Sequence, residues 1–238
     1  RSADAKQTLN KWIIGEVAKT RAEVDTALTA YRFNDAANAL YSFVWGTFCD
    51  WYLELSKPVL WDDNASDAAK RGTRRTPGQG REVALRMLHP RMPVIKEEIW
   101  QSVAPLAGKQ GATIMLQPYP QPTQTAQDAE ANDAIEWLKS VILAVRTIRA
   151  EMNIPPGKEI SVLLAKGDAA DKKRLAQNSQ YLKKLTKLAN VSWLGDGVEA
   201  PPCATALAGE LEVLVPIAGI IDKDDEIARL GKDIGKLE

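Results

Sequence analysis

Apolar residues that return every third or fourth position, over long stretches without proline, constrain the fold of this chain more than any other feature. Such spacing places apolar side chains on one face of a helix. The first stretch lies between Leu9 and Leu28, and in the second Asn34 can cap a helix that Pro58 ends. The predicted helices span residues 4–30, 34–57 and 81–89, a short segment after Pro93, and 133–152. Together they predict an antiparallel helical bundle.

Two segments between these helices are predicted to be irregular. Residues 61–80 contain three glycines and Pro77, which disfavour a continuous helix, so we expect an exposed loop there. Residues 105–126 are rich in Gly, Pro and Gln. They are expected to form a linker with one short strand at 113–116.

Aromatic residues in the second helix have the spacing of a buried stripe, and burial is their predicted role. They are Trp45, Trp51 and Tyr52. Cys49 in the same helix is predicted to be a small buried hydrophobe, and it and Cys203 are expected to be free thiols in a reducing compartment. The only histidine, His89, is predicted to be a structural hydrogen-bonding residue.

Beyond residue 157 the period of the apolar residues changes. Ile160, Val162 and Leu164 alternate with other residues, which predicts a half-buried strand. A helix over residues 169–189 is expected next, so the segment predicts a small β-α-β-β unit. The strands after the helix are expected at 191–194, 204–207 and 211–215.

The closing residues carry a heptad pattern. Ile227, Leu230, Ile234 and Leu237 are spaced three, four and three apart, which predicts the start of a coiled-coil helix that runs to the last residue. The predicted fold class is therefore mainly α, with an antiparallel helical bundle followed by a small α/β unit and the start of this arm. The expected domains are 1–157 for the bundle, 158–218 for the α/β unit and 219–238 for the arm.

Charge and composition exclude several classes of function. Lys plus Arg and Asp plus Glu balance at 31 each, so a nucleic-acid partner has to be bound by local patches. No apolar run is long enough to span a membrane and no signal pattern is present, so we expect a soluble cytoplasmic protein. Two cysteines and one histidine are too few for a zinc site, and no phosphate-binding glycine motif occurs. No metal, cofactor or catalytic residue is predicted in this chain.

Three ordered motifs are distinctive. Residues 31–37 (YRFNDAA) lead into residues 45–58 (WGTFCDWYLELSKP). Residues 89–93 (HPRMP) precede EEIW, and residues 148–158 read IRAEMNIPPGK. In this order they resemble the anticodon-binding region of valyl-tRNA synthetases, a family of class I aminoacyl-tRNA synthetases. Arg91 departs from the family pattern, which usually has an aromatic residue there.

The resemblance implies an anticodon-binding bundle of the class I synthetase type. It also implies a parent enzyme, a valine–tRNA ligase, that attaches valine to tRNA(Val) using ATP in catalytic and editing domains upstream. The class I histidine motif and lysine–serine loop are missing from these residues, so this segment alone is not expected to be catalytic or to hold a cofactor. The implied partners are tRNA, with tRNA(Val) as the expected one, and the upstream catalytic domain of the same protein. The protein is expected to be a monomer that does not bind a membrane. A leucyl- or isoleucyl-type synthetase, or a noncatalytic helical protein-interaction scaffold, is the alternative.

Recognition of an anticodon needs flat groups on which bases stack and donors that hold phosphates. The corner between the first two helices offers Arg32, Phe33 and Asn34, which are the leading tRNA-binding candidates. An equally open interpretation makes Phe33 a hydrophobic staple and Asn34 a helix cap. Three further tRNA-binding candidates on the first helix, which could instead form a solvated face, are Lys11, Lys19 and Arg21.

Two other basic groups are open to more than one interpretation. The predicted loop and its flank could contact the tRNA backbone or be solvated, and their basic residues are Lys70, Arg71, Arg74, Arg75 and Arg81. The basic residues around the Pro-Pro turn are predicted to orient the small unit, with RNA contact as the alternative. They are Arg146, Arg149 and Lys158.

Overall fold

A computed structural model describes residues 8–61, 66–121, 128–195 and 197–218. Its elements are α1 (Thr8–Thr29), α2 (Phe33–Tyr41), a π-helical segment (Ser42–Leu53), α3 (Glu54–Leu60), α4 (Asp67–Leu88), α5 (Pro93–Val103), a 3-10 turn (Ile114–Leu116), α6 (Ala129–Glu151), β1 (Ile160–Ala165), α7 (Ala169–Thr186), β2 (Leu188–Trp193), β3 (Cys203–Ala208) and β4 (Leu211–Pro216). This mainly helical fold with a small mixed sheet confirms the predicted fold class. The predicted coiled-coil start, 219–238, lies outside the described residues.

The helices of the first part pack through the faces that their periodicity predicts. α1 packs against α2 and α4, and α4 packs against α3 and α5. Trp12, Ile13 and Val24 of α1 are buried. Tyr52 and Asn10 are also buried, and the Tyr52 hydroxyl donates to Asn10 Oδ1 at 3.0 Å. This polar contact is satisfied within the core, as buried polar groups require.

The π-helical segment changes which aromatic residues are buried. Its buried rings, Phe43, Phe48 and Tyr52, are five and then four residues apart, a wider period than that of an α-helix. Their centroids lie 6.2 and 5.6 Å apart in sequence order. The burial predicted for Tyr52 is confirmed and that predicted for Trp45, which is 56% exposed, is wrong. The α-helical spacing on which that prediction relied does not hold here.

The exposed loop predicted for residues 61–80 is also wrong from Asp67 onward, because α4 begins there and continues through Pro77. Residues 62–65 of that prediction lie outside the described residues. The glycines do not break the helix. A Cβ at buried Gly80 would meet its neighbours at 3.7 Å or more, which is ordinary van der Waals contact, so no close approach requires glycine there. Burial of Val83 and Met87 later in α4 offsets the roughly 1 kcal/mol that each glycine costs in a helix.

Residues 113–116 form a 3-10 turn instead of the predicted strand. The Thr113 hydroxyl caps the turn by accepting from the Met115 N–H, and it donates to Glu97 Oε2 at 2.6 Å. Glu97 Oε2 also accepts from the Ile114 N–H at 3.0 Å. These hydrogen bonds lower the pKa of Glu97, and the one from Thr113 has the largest effect. The carboxylate therefore ties the irregular segment to α5.

The second part contains the predicted strand, the helix after it and the three further strands, in the order β-α-β-β-β. Its sheet has the strand order β2-β1-β4-β3, in which β1 and β2 are parallel and β4 is antiparallel to both of its neighbours. α7 connects the parallel pair, as such a crossover requires. Asp168 caps α7 in a reciprocal capping box with Asp171. Alternating burial along β1, with Ile160, Val162 and Leu164 inward, confirms the predicted strand.

The chain forms two compact units, and the boundary between them along the sequence lies inside α6, between residues 135 and 136. The domain boundary expected after residue 157 stays a prediction. Both cysteines are free and half-buried, and burial raises the pKa of each thiol.

Candidate nucleic-acid interface

The corner after α1 is a tight turn with an unusual residue at its centre. The Tyr31 N–H donates to the Leu28 carbonyl at 3.0 Å, and the Arg32 N–H donates to the Ala27 carbonyl at 2.8 Å. This pair of bonds closes a helix in the Schellman motif, where the left-handed position is usually glycine. Here Tyr31 occupies it, with a φ of 57°. A non-glycine residue in this conformation costs roughly 1–2 kcal/mol.

Two aromatic rings at this turn are exposed. Tyr31 is 81% exposed and Phe33 is 53% exposed. Their ring centroids lie 6.3 Å apart in an edge-to-face arrangement. Arg91 places its guanidinium carbon 5.7 Å from the centre of the Phe33 ring, and its Nη2 donates to the Phe33 carbonyl. The corner thus joins two rings and a guanidinium plane on an exposed surface.

Arg91 comes from the turn between α4 and α5, and a buried contact holds these two helices together. Glu82 is 1% exposed and pairs with Arg86 Nε at 2.8 Å. The same carboxylate accepts from the Trp100 indole N–H at 3.2 Å. A buried carboxylate is stable when it is paired and hydrogen-bonded in this way. The Glu82 contacts therefore help to fix the turn that presents Arg91.

The structure excludes both structural alternatives for the corner residues. α2 begins at Phe33 with Arg32 as its N-cap, and no side chain makes the cap bond. Asn34 is therefore not the cap, and its amide is exposed. Phe33 is the first residue of α2, so it does not lie before the cap, where a hydrophobic staple is located. Arg32 lies at the same surface, with its Nε 3.3 Å from Asp35 Oδ2 and both side chains about half exposed.

A second exposed aromatic pair lies where α2 continues into the π-helical segment. Tyr41 and Trp45 are 66% and 56% exposed, with ring centroids 6.5 Å apart. The spacing of Asn34, Asn38 and Tyr41 by four and three places them on one side of α2. All three are exposed. The sequence interpretation missed this surface because it assigned Trp45 to the core.

The structure does not bring the three basic candidates of α1 to the corner. Lys11 forms an ion pair with Asp128, with Nζ 2.7 Å from Oδ2. About 20 helical residues, roughly 30 Å, separate it from Arg32. Lys19 is exposed farther back on α1. Arg21 is half-buried, and burial lowers its pKa, with nearby Arg86 adding to the effect. Their roles in tRNA binding stay predictions.

The basic residues near the Pro-Pro turn have a clearer outcome. Arg149 is 8% exposed and donates to four backbone carbonyl groups. The acceptors are Pro155 (3.1 Å), Lys158 (2.9 Å), Thr186 (2.8 Å) and Lys187 (3.0 Å). These contacts give Arg149 a structural role within the second unit, while the orienting role predicted for it stays a prediction. His89 is different, since its Nδ1 is buried and has no hydrogen-bond partner in the described part of the chain.

Flat rings and guanidinium groups exposed on a helical bundle are the chemistry that proteins use to hold unpaired RNA bases. Residues 10–164, more than half of the chain, match the family model for the anticodon-binding domain of tRNA ligases. The chain therefore belongs to this family, which is of the class I synthetase type. tRNA is thus its partner.

The described ranges contain neither a membrane-spanning helix nor a metal-binding cluster. None of their helices is long and apolar enough to cross a membrane. These ranges also hold no group of three or more His, Cys, Asp or Glu side chains arranged to bind a metal ion.

Proposed function

We propose that the anticodon loop of tRNA(Val) binds at the corner formed by Tyr31, Arg32, Phe33 and Asn34 together with Arg91. The observation that carries this proposal is the Arg91 guanidinium against the Phe33 ring, 5.7 Å from its centre, beside a second exposed ring. A stack already formed by the protein spares a base the cost of ordering these side chains. Arg91 comes from the α4–α5 turn and Phe33 from α2, so the platform exists only in the folded bundle.

Each group at the corner has a distinct role in this proposal. Unpaired bases stack on the exposed parts of the Tyr31 and Phe33 rings, each stack contributing about 1–3 kcal/mol. Arg32 binds a phosphate, and its ion pair with half-exposed Asp35 is weak enough to exchange. The exposed Asn34 amide carries both donors and an acceptor, so it can read the edge of a base. The Tyr41–Trp45 pair offers stacking surface for a neighbouring nucleotide.

Valine specificity and the chemistry of the parent enzyme are part of the same proposal. The order of the motifs at 31–37, 89–93 and 148–158 supports a valine–tRNA ligase. The ligase would use ATP in a domain outside these residues, so this chain would bind tRNA without charging it. We expect a monomer that acts in the cytoplasm and needs no cofactor of its own.

The test is filter binding of the whole chain to valine-accepting tRNA and to the same tRNA with a swapped anticodon, at several salt concentrations. The proposal predicts weaker binding of the swapped tRNA by at least about fivefold, since loss of one hydrogen-bonded contact to a base edge costs about 1–3 kcal/mol. The preference should persist at high salt, because hydrogen bonds to the edge of a base are less screened than phosphate contacts are. Equal affinities for the two tRNAs at every salt concentration would remove the specificity claim.

A protein-interaction scaffold is the second candidate, favoured by one observation. Met92, Val94, Ile95 and Ile99 at the start of α5 are between 38% and 83% exposed. Exposed apolar side chains that lie together can mark a protein-binding surface. Light scattering separates the candidates, because association that rises with protein concentration, without RNA affinity, would favour the scaffold.

A further inference from the structure

Three arginines share one face of α4 in its first half. Arg71, Arg74 and Arg75 are at positions i, i+3 and i+4 of the helix, and all three are exposed. Side chains at this spacing are neighbours on a helix surface. Among the described residues, none of the three has a hydrogen-bond or ion-pair partner. We refer to these residues as the α4 arginine face.

The other arginines of α4 show that this lack of partners is specific to the face. Arg86, in the last turn, pairs with Glu82 at 2.8 Å. Arg81 donates from Nε to the Pro77 carbonyl at 3.4 Å. The C-terminal part of the helix therefore provides its cations with partners, and the N-terminal half does not.

Helix stability does not account for the α4 arginine face. Like charges three and four residues apart on a helix destabilise it by about 0.2–0.5 kcal/mol per pair. The favourable place for cations is the last turn, near the negative end of the helix dipole, and Arg71, Arg74 and Arg75 all lie before it. A polyanion bound across the face would remove this repulsion.

The position of the face relative to the corner suggests which polyanion this is. From Arg74 to Leu88 the helix advances about 21 Å toward the turn that carries Arg91. Arg91 in turn contacts Phe33 at the corner. A tRNA with its anticodon loop at the corner has its paired stem leading away from that point, and paired RNA is recognised largely through its phosphates and shape.

We infer that the α4 arginine face binds the phosphate backbone of the tRNA stem that adjoins the anticodon loop. This inference rests on the proposed function, because it takes the corner as the position of the loop. The arginines contribute affinity that is independent of the anticodon sequence, whereas the corner contributes the preference for one anticodon.

The test uses the whole chain in which Arg71, Arg74 and Arg75 are all replaced by alanine, with valine-accepting tRNA and its anticodon-swapped version as probes. A phosphate contact contributes about 0.7–0.9 to the slope of log K against log salt, so the slope should fall by about 2. From about 50 to 200 mM salt, the affinity gap between the variant and the parent chain should therefore narrow by about tenfold or more. Both tRNAs should lose affinity equally.

Two further variants serve as controls. Replacing the three arginines by lysine retains the charges and should keep most of the affinity and slope. Replacing three exposed lysines of α7 by alanine removes the same charge from the second unit and should change the slope much less. These lysines are Lys172, Lys183 and Lys184.

Alanine is the best helix former, so the arginine variant should unfold in urea at the same or a higher midpoint. A glutamine triple variant removes the charges with longer side chains and should bind like the alanine variant. An unchanged slope in both variants, or an equal loss in the α7 lysine control, would overturn the inference. Failure of the proposed function would look different, since the unsubstituted chain would then bind both tRNAs alike whatever the arginines do.

Discussion

Two helices in different units, α1 and α6, end in the same kind of turn with very different residues. After α6, Asn153 has a φ of 49° and the Ile154 N–H donates to the Arg149 carbonyl at 2.8 Å. After α1, Tyr31 has a φ of 57° and the Arg32 N–H donates to the Ala27 carbonyl at 2.8 Å. Asparagine tolerates the left-handed conformation, whereas tyrosine is strained in it.

The residues that follow the two turns differ in the same sense. Ile154 is 7% exposed. Its burial is typical of this motif, in which an apolar residue at this position usually packs against the helix. The corresponding Arg32 is exposed, and Phe33 after it is 53% exposed. The turn after α6 is thus built for stability, while the corner keeps a strained residue and an exposed ring that stability alone does not require. Such strain is typical of functional positions.

The largest expected effect is a difference in unfolding free energy between alanine variants of Arg149 and Arg32, one arginine from each turn. Arg149→Ala leaves four carbonyl acceptors without their charged donor, so it should destabilise the second unit by about 2–4 kcal/mol. Arg32→Ala should change stability by less than about 0.5 kcal/mol, because its side chain and that of Asp35 are exposed. Urea unfolding followed by tryptophan fluorescence and circular dichroism measures both. Similar losses in the two variants would break the comparison.

A smaller effect is expected from glycine at the centre of each turn. Tyr31→Gly relieves the left-handed strain and should stabilise the first unit by about 0.5–1 kcal/mol. Asn153→Gly should change stability little, since asparagine already suits that conformation. Thermal unfolding of the two variants provides the measurement. Destabilisation by Tyr31→Gly would show that the ring contributes more to folding than its exposure suggests.

The smallest effect concerns Lys11, a cation that has a structural partner within the first unit. The hydrogen bond from Lys11 lowers the pKa of Asp128 from its ordinary value of 3.8. The resulting stabilisation is fully present above pH 3.8 and is lost as pH falls through the lower, folded-state pKa. Asp128→Asn should thus be slightly less stable than the parent chain at pH 7, and the difference should shrink on acidification. A difference that grows toward low pH would contradict this assignment.

Much of the fold follows from the period of the apolar residues, and the errors have a common cause. The spacing of Ile160, Val162 and Leu164 identified β1 because apolar residues that alternate with other residues indicate a half-buried strand. The α4 prediction failed because glycine and proline were weighed as helix breakers, without the burial of Val83 and Met87 later in the same helix. Local propensity is a weak guide wherever tertiary contacts of this kind override it.

The candidate site shows the same limit. Arg32, Phe33 and Asn34 could be proposed from the sequence because contiguous flat and polar residues at a helix boundary are visible there. Arg91 could not, since it is 58 residues from Phe33 and meets it only through the α4–α5 turn. Its departure from the family's aromatic residue was the only signal. Trp45 was missed because a π-helical segment shifts the exposed face.

The central claim is that the corner binds RNA and contributes little to folding. The most direct measurement compares the affinity of valine-accepting tRNA for the parent chain and for the Arg32→Ala/Phe33→Ala variant, with urea unfolding of both in parallel. We predict at least a fivefold loss of affinity, since one base stack is worth about 1–3 kcal/mol, with an unfolding midpoint close to that of the parent chain. Unchanged affinity in a variant that folds normally would contradict the account.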